Sequence, residues 1–259
     1  MKQHLIRERL ILVLKGALLP LALLGAWQWA SGQGAAAAYI FVSLGDLAHS
    51  LRDLVLTGEL WVHLRASLGR TLAGLLLGGS AGIVTGALMA QSPLADRLIG
   101  PLFHSIRQVP LLGLIPLLGL WVGNGDGAKL LVIAIAAFYP TVLNTYAGMR
   151  QVEGRLREVG QVLTLTRWQT LRQILLPGAM PAIVTGVTHA LAFAWLACLG
   201  GELLFAAGPG MGSLLLNGEV SGRMDVVLLA VLVIALLAQA MNVAFARLAR
   251  LLVKGRSSE

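Results

Sequence analysis

Long apolar runs are the feature that most constrains the fold of this chain. A helix that crosses a membrane needs roughly 20 mostly apolar residues, because lipid offers no partners for backbone polar groups. Soluble domains have about 25% charged residues, whereas this chain has 12%, with 57% hydrophobic. The sequence therefore predicts an all-α, polytopic membrane protein, a single domain over residues 1–259 with about six transmembrane helices. The six stretches lie at 10–30, 63–90, 108–122, 128–147, 179–205 and 226–246.

Two of these stretches allow more than one interpretation. The third is short and contains Pro110 and Pro116, so we expect it to be kinked or partly re-entrant. The first follows several basic residues and precedes Ala35–Ala38, as the core of a cleaved signal peptide would. Its run from Leu10 to Ala30 is long for that role and ends in two tryptophans that suit a membrane interface. We interpret it as an uncleaved first helix.

The distribution of Lys and Arg predicts the orientation, because cytoplasmic segments carry an excess of these residues. With the N-terminus inside, 15 of the 20 basic residues fall in cytoplasmic segments. Those segments are the tail up to Lys15, 91–107, 148–178 and 247–259. The N-terminus and the C-terminus are both predicted to be cytoplasmic.

The positions of charged and reactive side chains argue against several classes of function. The net charge of +8 does not indicate nucleic-acid binding, because the basic residues lie at the ends of apolar runs rather than on a polar face. Cys198, the only cysteine, lies within an apolar run, so no intrachain disulfide or cysteine-based metal site is expected. None of the four lysines is followed by Ser or Thr, as a P-loop requires. We predict no metal, cofactor or nucleic-acid partner, no catalytic residues and no ATPase activity.

The second stretch contains a repeated small-residue pattern. Gly74, Gly78, Gly82 and Gly86 recur every four residues, which places them along one face of a helix. In lipid such a face lets two helices pack closely. The pattern fits packing inside one subunit, and it also fits a subunit interface or a moving contact. Before it, residues 42–56 carry apolar groups at helical spacing, which predicts a short amphipathic helix on the outer surface.

The polar segment 151–177 predicts two cytoplasmic helices. Its first half has an apolar stripe that includes Leu163 and is too short to cross a membrane, so it suits the membrane surface or a groove in a partner. Thr166 and Gln169 have the spacing of a capping box, which predicts that a second helix begins there. Pro177 is expected to end that helix.

This segment resembles the EAA signature of binding-protein-dependent ABC transporter permeases. That pattern is Glu-Ala-Ala, three residues, Gly, nine residues, then Ile-x-Leu-Pro. The spacing matches at Glu158, Gly160, Ile174, Leu176 and Pro177. The sequence departs from the pattern at Val159 and at Thr164, where the family has Gly. Because a β-branched Thr disfavours the positive φ that Gly permits, we expect the turn or its register to differ here.

The resemblance extends over roughly residues 60–250, the expected permease core, and it is strongest to the nitrate, sulfonate and taurine branch. Similar segments begin at Ser67, Arg107 and Ala194, the second with Gln108 in place of the usual Pro. The resemblance implies the MetI-like fold of ABC importer permeases, in the bacterial plasma (inner) membrane.

The resemblance also implies a function and a set of partners. Two copies of the permease would enclose a path for a small anion such as a sulfonate, taurine or nitrate, with a pyrimidine-type vitamin precursor as the alternative cargo. Two ABC ATPase subunits would dock from the cytoplasm, and an extracytoplasmic binding protein would deliver the solute. ATP-driven closure would rock the bundle between inward- and outward-open states. The implied ATPase-coupling residues are Glu158, Gly160, Leu163, Thr164, Ile174 and Pro177.

Polar side chains inside the apolar stretches are candidates for the path, since ionisable groups are costly in a membrane. We single out Glu202, Asn144 and His189. Glu202 also fits a structural pairing with an Arg, and His189 fits a helix-packing role. Gln239 and Asn242 are expected to bond across helices. A transporter driven by an ion gradient is the alternative from another class, and it predicts inverted repeats and a buried acid pair, neither of which is visible.

Overall fold

The computed structural model describes residues 18–34, 39–152, 162–205 and 208–254, and within these ranges the chain is helical without β-strands. The predicted all-α class is confirmed. The helices are α1 (18–31), α2 (Leu44–Leu56), α3 (Glu59–Gln91), α4 (Pro93–Ile106), α5 (Leu111–Val122), α6 (Asp126–Gln151), α7 (Arg167–Leu204), α8 (Met211–Val220) and α9 (Met224–Lys254).

Four helices in the described ranges are long and apolar enough to cross a membrane, namely α3, α6, α7 and α9. They coincide with the second, fourth, fifth and sixth predicted stretches. The third stretch corresponds to α5, which is too short to qualify alone and contains Pro116 without a break. Helix α4 lies in the segment 91–107, which was predicted to be cytoplasmic, and it qualifies only as a pair with α5. The two helices meet at an angle of 99° at the break that contains Pro110, which agrees with the expected kinked or re-entrant form. Counting that pair as one span gives up to five. The first stretch lies partly outside the described residues.

Local sequence explains where several helices begin and end. Ser43 caps α2, its hydroxyl accepting from the Asp46 N–H at 3.1 Å, and this helix agrees with the one predicted over 42–56. Ser92 caps α4 in the same way, and Pro93 occupies the first helical position, where its missing N–H costs nothing. Gly123 follows α5 with a φ of +90°, which a side chain would disfavour.

The prediction that Pro177 ends a helix is wrong. Helix α7 runs without a break from Arg167 to Leu204 and passes through Pro177. A π-helical turn at Leu171–Leu175 precedes the proline, and the Leu176 N–H bonds to Leu171 O, five residues back. This π turn is wider than an α-turn, so the backbone hydrogen bonds just before Pro177 differ from those of a regular α-helix. The helix therefore continues through the proline.

The structure divides into two compact units, formed by the described residues of 1–60 with 215–232 and of 61–214 with 233–259. In the first unit, the Ser50 hydroxyl on α2 donates to Asp225 at 2.5 Å. The core of the second unit lies where α7 packs along α6, with Ile133, Ala190 and Cys198 among its buried residues.

The glycine face of α3 lies against α6 within this second unit. A Cβ on Gly74 would overlap with Ile133, and one on Gly78 would overlap with the backbone of Ala134. The other two glycines continue the same contact further along α6. In the described part of the chain, the face therefore serves helix packing inside one subunit, where glycine lets two backbones approach.

Candidate functional site

The predicted coupling segment is only partly described. Glu158 and Gly160 lie outside the described residues. Leu163 is exposed, and Thr164 has a φ of +52°, the only positive value among the described non-glycine residues. Thr164 therefore adopts the left-handed conformation that we expected its β-branched side chain to avoid. A residue in this conformation persists only where its surroundings hold it there.

A capping box directly after this turn fixes the start of α7. The Thr166 hydroxyl accepts from the Gln169 N–H at 3.3 Å, and the Gln169 side-chain oxygen accepts from the Thr166 N–H at 2.8 Å. The predicted helix start is confirmed. The remaining coupling candidates follow in the first turns of α7, with Ile174 inside the π turn and Pro177 just beyond it.

Asn144 and His189 line the same cavity, of about 630 Å³, within the second compact unit. The cavity lies between the bend that joins α4 to α5, the middle of α6 and the middle of α7. Asn144 Nδ2 donates to Pro140 O at 2.8 Å, which orients the amide along its own helix. Gly186 lets α7 pass close to α6 here, since a Cβ on it would lie 2.7 Å from the Cβ of Asn144.

One side of α7 remains exposed beside this cavity. Thr185, His189, Phe193 and Leu196 follow one another at steps of four, four and three residues, and all four are exposed. We call these residues the α7 stripe. An imidazole is costly to place in hydrocarbon, so a stripe that contains His189 is expected to face water or another protein surface.

Glu202 lies apart from the cavity, in a buried ionic cluster. It follows His189 by 13 residues on α7, roughly 20 Å along the helix axis. Its side chain is 0% exposed and forms an ion pair of 2.8 Å with Arg70, whose side chain is 11% exposed. Arg70 also reaches Asp126 at 2.9 Å, so the cluster joins α3, α6 and α7. This geometry agrees with the alternative interpretation of Glu202, which is a structural ion pair with an Arg rather than a role in the path.

The same carboxylate holds the start of α8. The Gly212 N–H donates to Glu202 at 3.0 Å, and the Ser67 hydroxyl lies 2.8 Å from both carboxylate oxygens. Ser67 in turn accepts from the Met211 N–H at 2.8 Å. A carboxylate is favourable at a helix N-terminus because the free N–H groups and the helix dipole are positive there. Gly210 is needed for this approach, since a Cβ on it would overlap with the carboxylate.

Most members of this cluster were not predicted from the sequence. Lys129 is fully buried on α6, close to the other members, and adds a second cation beside Arg70. Glu202 and Asp126 balance these charges, which matters because an uncompensated buried charge costs several kcal/mol. The available signal was the presence of Arg70 and Lys129 within apolar stretches.

Two further expectations concern α9 and metal binding. Gln239 and Asn242 are exposed, and neither amide bonds to another helix within the described part of the chain, contrary to the expectation. Across the described ranges, no three His, Cys, Asp or Glu side chains are grouped so that they could hold a metal ion.

Four helices that are long and apolar enough to cross a membrane, with a mainly apolar cavity between the α4–α5 bend, α6 and α7, define a multi-pass membrane protein. The model of one family, the binding-protein-dependent transport system inner membrane component, matches residues 78–258. The chain belongs to this family, the permeases of ABC transporters. It is therefore a transport subunit of the inner membrane and not an enzyme, and the family works with an ATPase and a substrate-binding protein. The alternative of a transporter driven by an ion gradient is wrong.

Comparison with individual proteins agrees with this family. The chain is 31% identical over 245 residues to SsuC of Bacillus subtilis (strain 168), which is named as an aliphatic sulfonates transport permease protein. This match covers 95% of this chain and 88% of SsuC. It is 35% identical over 179 residues to the taurine transport system permease TauC of Escherichia coli (strain K12). This match covers 69% of this chain and 65% of TauC. The inward-facing MetNI methionine ABC transporter has the same fold, with a TM-score of 0.64 and 20% identity over 75% of this chain and 94% of that chain.

Proposed function

We propose that two copies of this permease enclose a path for a small anion, and that the cavity lined by Asn144 and His189 belongs to this path. The observation that carries the proposal is the α7 stripe, which exposes an imidazole on a membrane-spanning helix next to that cavity. Such a stripe is favourable where water or a second protein covers it and unfavourable in hydrocarbon. With the orientation predicted from Lys and Arg, α7 begins at the cytoplasmic side and Glu202 lies towards the outside.

The proposed cargo is a small anion such as a sulfonate, taurine or nitrate. Relatives named for aliphatic sulfonates and taurine support an anion. The lining of the cavity also supports it: Arg107 is charged, and no carboxylate lines the cavity among the described residues. A pyrimidine-type vitamin precursor, the alternative, would need hydrogen-bonding groups but no cation.

Helix α9 supports a second permease copy. Only 17% of its apolar window is buried within the chain, compared with 39–44% for the other three long helices. Gln239 and Asn242 are exposed on it, three residues apart. Amide side chains within a membrane are stabilised by hydrogen bonds across a helix interface. A second copy that packs on α9 would provide such bonds, and a pair of permeases takes a pair of ATPase subunits.

Helix α7 connects the proposed docking surface to the cavity. It has 38 residues, a length of roughly 57 Å, with His189 near the middle and Glu202 near the far end. The ATPase would bind at the segment before this helix and at its first turns, and would move it as ATP closes the ATPase pair. The π turn at Leu171–Leu175 contains the docking candidate Ile174 and precedes the cavity, at a position where a helix bends readily. The docking residues proposed are Glu158, Gly160, Leu163, Thr164, Ile174 and Pro177.

The accessibility of single cysteines tests the path. Cys198 is the only native cysteine and is fully buried, so the background reaction with a charged thiol reagent is low. In a Cys198→Ala background, we expect His189→Cys to react with a membrane-impermeant methanethiosulfonate, and the side of access to change with ATP. The control is Leu76→Cys, which is 72% exposed on a purely apolar part of α3 and should face lipid. Equal, slow reaction at both positions would place the α7 stripe in lipid and refute the path.

A further inference from the structure

Helix α4 leads into one wall of the cavity and has a break in the helix at each end. The chain lines the cavity continuously from Arg107, which directly follows α4, to Leu112 on α5. Ser92 separates α4 from α3 in an extended conformation with φ of −116° and ψ of 112°, and the 99° bend separates α4 from α5. Hinges are a few residues at the ends of elements that absorb changes in φ and ψ. Both ends of α4 are therefore places where a hinge can form.

Helices α3, α6 and α7 are held together by close contacts between their backbones. A Cβ on Gly78 of α3 would overlap with the backbone of Ala134 on α6. Between α6 and α7, a Cβ on Gly148 would lie 2.5 Å from the Cβ of Ala182. Backbones packed this closely resist sliding, because a tightly packed interface has no free space for small displacements. We call α3, α6 and α7 the helix body.

Helix α4 packs on this body through side chains instead. The ring of Phe103, its buried aromatic residue, has its centroid 6.2 Å from that of Phe138 and 6.0 Å from that of Tyr139 on α6. A Cβ on Gly100 would lie 3.8 Å from Met89 Cε on α3, which is the end of a flexible side chain. A thioether adapts to displacement more easily than an interlocked backbone does. Among the described contacts, those of α4 are therefore the easier ones to shift.

A polar contact joins the first turn of α4 to α6. Asp96 Oδ2 accepts from the Tyr146 hydroxyl at 3.1 Å and lies 3.5 Å from Arg150 Nη1. Arg150 also donates to the Tyr146 hydroxyl at 3.0 Å, and its guanidinium lies 5.5 Å from the centre of that ring. Tyr146 and Arg150 follow Asn144 of the cavity by two and six residues on α6. With the orientation predicted from Lys and Arg, this contact lies on the cytoplasmic side of the cavity.

Exposure decides which of the two ionic contacts of this unit opens more readily. The side chains of Arg70 and Glu202 are 11% and 0% exposed, and separating them would leave a buried charge without its partner, which is strongly destabilising. The side chains of Arg150 and Asp96 are 57% and 32% exposed. Water replaces their contact when it breaks, so an exposed ion pair contributes little to stability. Opening at α4 is therefore the less costly movement.

On the basis of the path proposed above, we propose that α4 is the inner gate of the cavity. The contact of Asp96 with Tyr146 and Arg150 is the latch that holds this gate closed. The helix body stays together while α4 turns about Ser92 and the bend, and the cytoplasmic side of the cavity opens between α4 and α6. Because Arg107 directly follows α4, the same movement shifts the charged residue of the lining.

Cross-linking tests whether α4 has to move during transport. The importer is reconstituted from a Cys198→Ala permease, which has no other native cysteine, with a cysteine-free ATPase and binding protein. Asp96→Cys and Tyr146→Cys are joined by a short bifunctional methanethiosulfonate, and ATP-dependent uptake of an alkanesulfonate is measured. We expect the cross-link to lower uptake at least tenfold and its reduction to restore uptake. A monofunctional reagent on the same two cysteines should leave uptake in place.

A cross-link inside the helix body is the matched control. A Cβ on Gly178 of α7 would lie 3.8 Å from the Cβ of Val152 at the end of α6, which is the usual separation in a disulfide. We expect the disulfide between Gly178→Cys and Val152→Cys to leave uptake unchanged. Normal uptake with α4 linked to α6, or an equal block by both cross-links, would overturn the assignment of the movement to α4.

The reactivity of a cysteine inside the cavity tests the latch. Ala136 lines the cavity and is 6% exposed, so Ala136→Cys in the Cys198→Ala background reports opening to an impermeant methanethiosulfonate added on the cytoplasmic side without ATP. Loss of an exposed ionic contact corresponds to about a two- to fivefold change in an equilibrium. We therefore expect Asp96→Ala and Tyr146→Phe each to speed this reaction two- to fivefold. Arg97→Ala is the matched control, since Arg97 is exposed on the same helix and is not part of the latch.

The double variant shows whether the two residues act through one contact. Asp96→Ala with Tyr146→Phe should react no faster than the faster single variant, because both substitutions remove the same contact. Additive effects, or equal rates for Asp96→Ala and Arg97→Ala, would overturn the latch. The proposed function fails separately, if His189→Cys shows no ATP-dependent access. If His189→Cys shows that access while the latch variants leave Ala136→Cys unchanged, only the gate is refuted.

Discussion

Replacing Thr164 with Gly should stabilise the turn before α7. Thr164 has a φ of +52°, whereas the αR and extended regions are those that a β-branched residue prefers. The EAA signature has Gly at this position. Because Gly has no Cβ, it adopts this conformation without the steric penalty.

The size of the effect follows from two opposing contributions. An L-residue in the left-handed region costs about 1–2 kcal/mol, and Gly removes this cost. Gly also has more conformational freedom in the open state, and this lowers the stabilisation of the closed turn by about 0.5–1 kcal/mol. The net stabilisation of the closed turn is therefore about 0.5–1 kcal/mol, which makes local opening about two- to fivefold rarer.

Amide hydrogen exchange of the permease in nanodiscs measures this opening. We expect peptides that cover Leu163–Thr170 to exchange two- to fivefold more slowly in Thr164→Gly than in the native chain. Thr164→Ala is the matched control, because Ala keeps a Cβ and retains most of the cost. Thr170→Gly should have the opposite effect, since Thr170 is helical with a φ of −59° and its hydroxyl donates to Thr166 O at 3.0 Å.

Two outcomes would refute this reasoning. If Thr164→Gly exchanges as fast as the native chain or faster, the positive φ carries no cost that Gly can remove. If Thr164→Ala slows exchange as much as Thr164→Gly, the β-branch and not the sign of φ is responsible.

Three further substitutions test other parts of the account. Glu202→Gln leaves Arg70 buried with one carboxylate fewer, so thermal unfolding of the purified complex should show a loss of roughly 3 kcal/mol, and an unchanged melt would contradict the cluster. Gly78→Val should prevent accumulation in membranes because its Cβ would overlap with the α6 backbone, whereas neighbouring Gly79→Val, whose Cβ has no neighbour nearer than 4.0 Å, should accumulate normally. Gly160→Trp should keep membrane abundance, lower the recovery of the ATPase and abolish uptake, because a large side chain would hold the two surfaces apart, and Gly160→Ala should be tolerated. Normal pull-down and normal uptake with Gly160→Trp would move the docking surface to 91–107.

Features that depend on neighbouring residues in the sequence could be predicted. Apolar length located the four long helices, and Pro110 indicated the bend at the start of the third stretch, because both depend on residues within one segment. The capping box of Thr166 and Gln169 likewise needs only two residues three positions apart. Periodicity also put four glycines on one face of α3, although it could not tell which helix would cover them.

Features that depend on distant residues could not be predicted. Arg70 meets Glu202 across 132 residues and Asp126 across 56, and no spacing rule connects such positions. Pro177 was misjudged for a related reason, because the π turn before it changes the hydrogen-bond ladder and the sequence shows no sign of that turn. The conformation of Thr164 was misjudged because the local preference of a β-branched residue does not by itself decide the backbone of a turn.

Transport by the reconstituted importer is the decisive measurement of the proposed function. Proteoliposomes contain this permease with its ATPase, and the binding protein and an alkanesulfonate are added on the side of the extracytoplasmic face. We expect accumulation that requires ATP, the ATPase and the binding protein together, with no ATP hydrolysis by the permease alone. Accumulation driven by an ion gradient through the permease alone would contradict it.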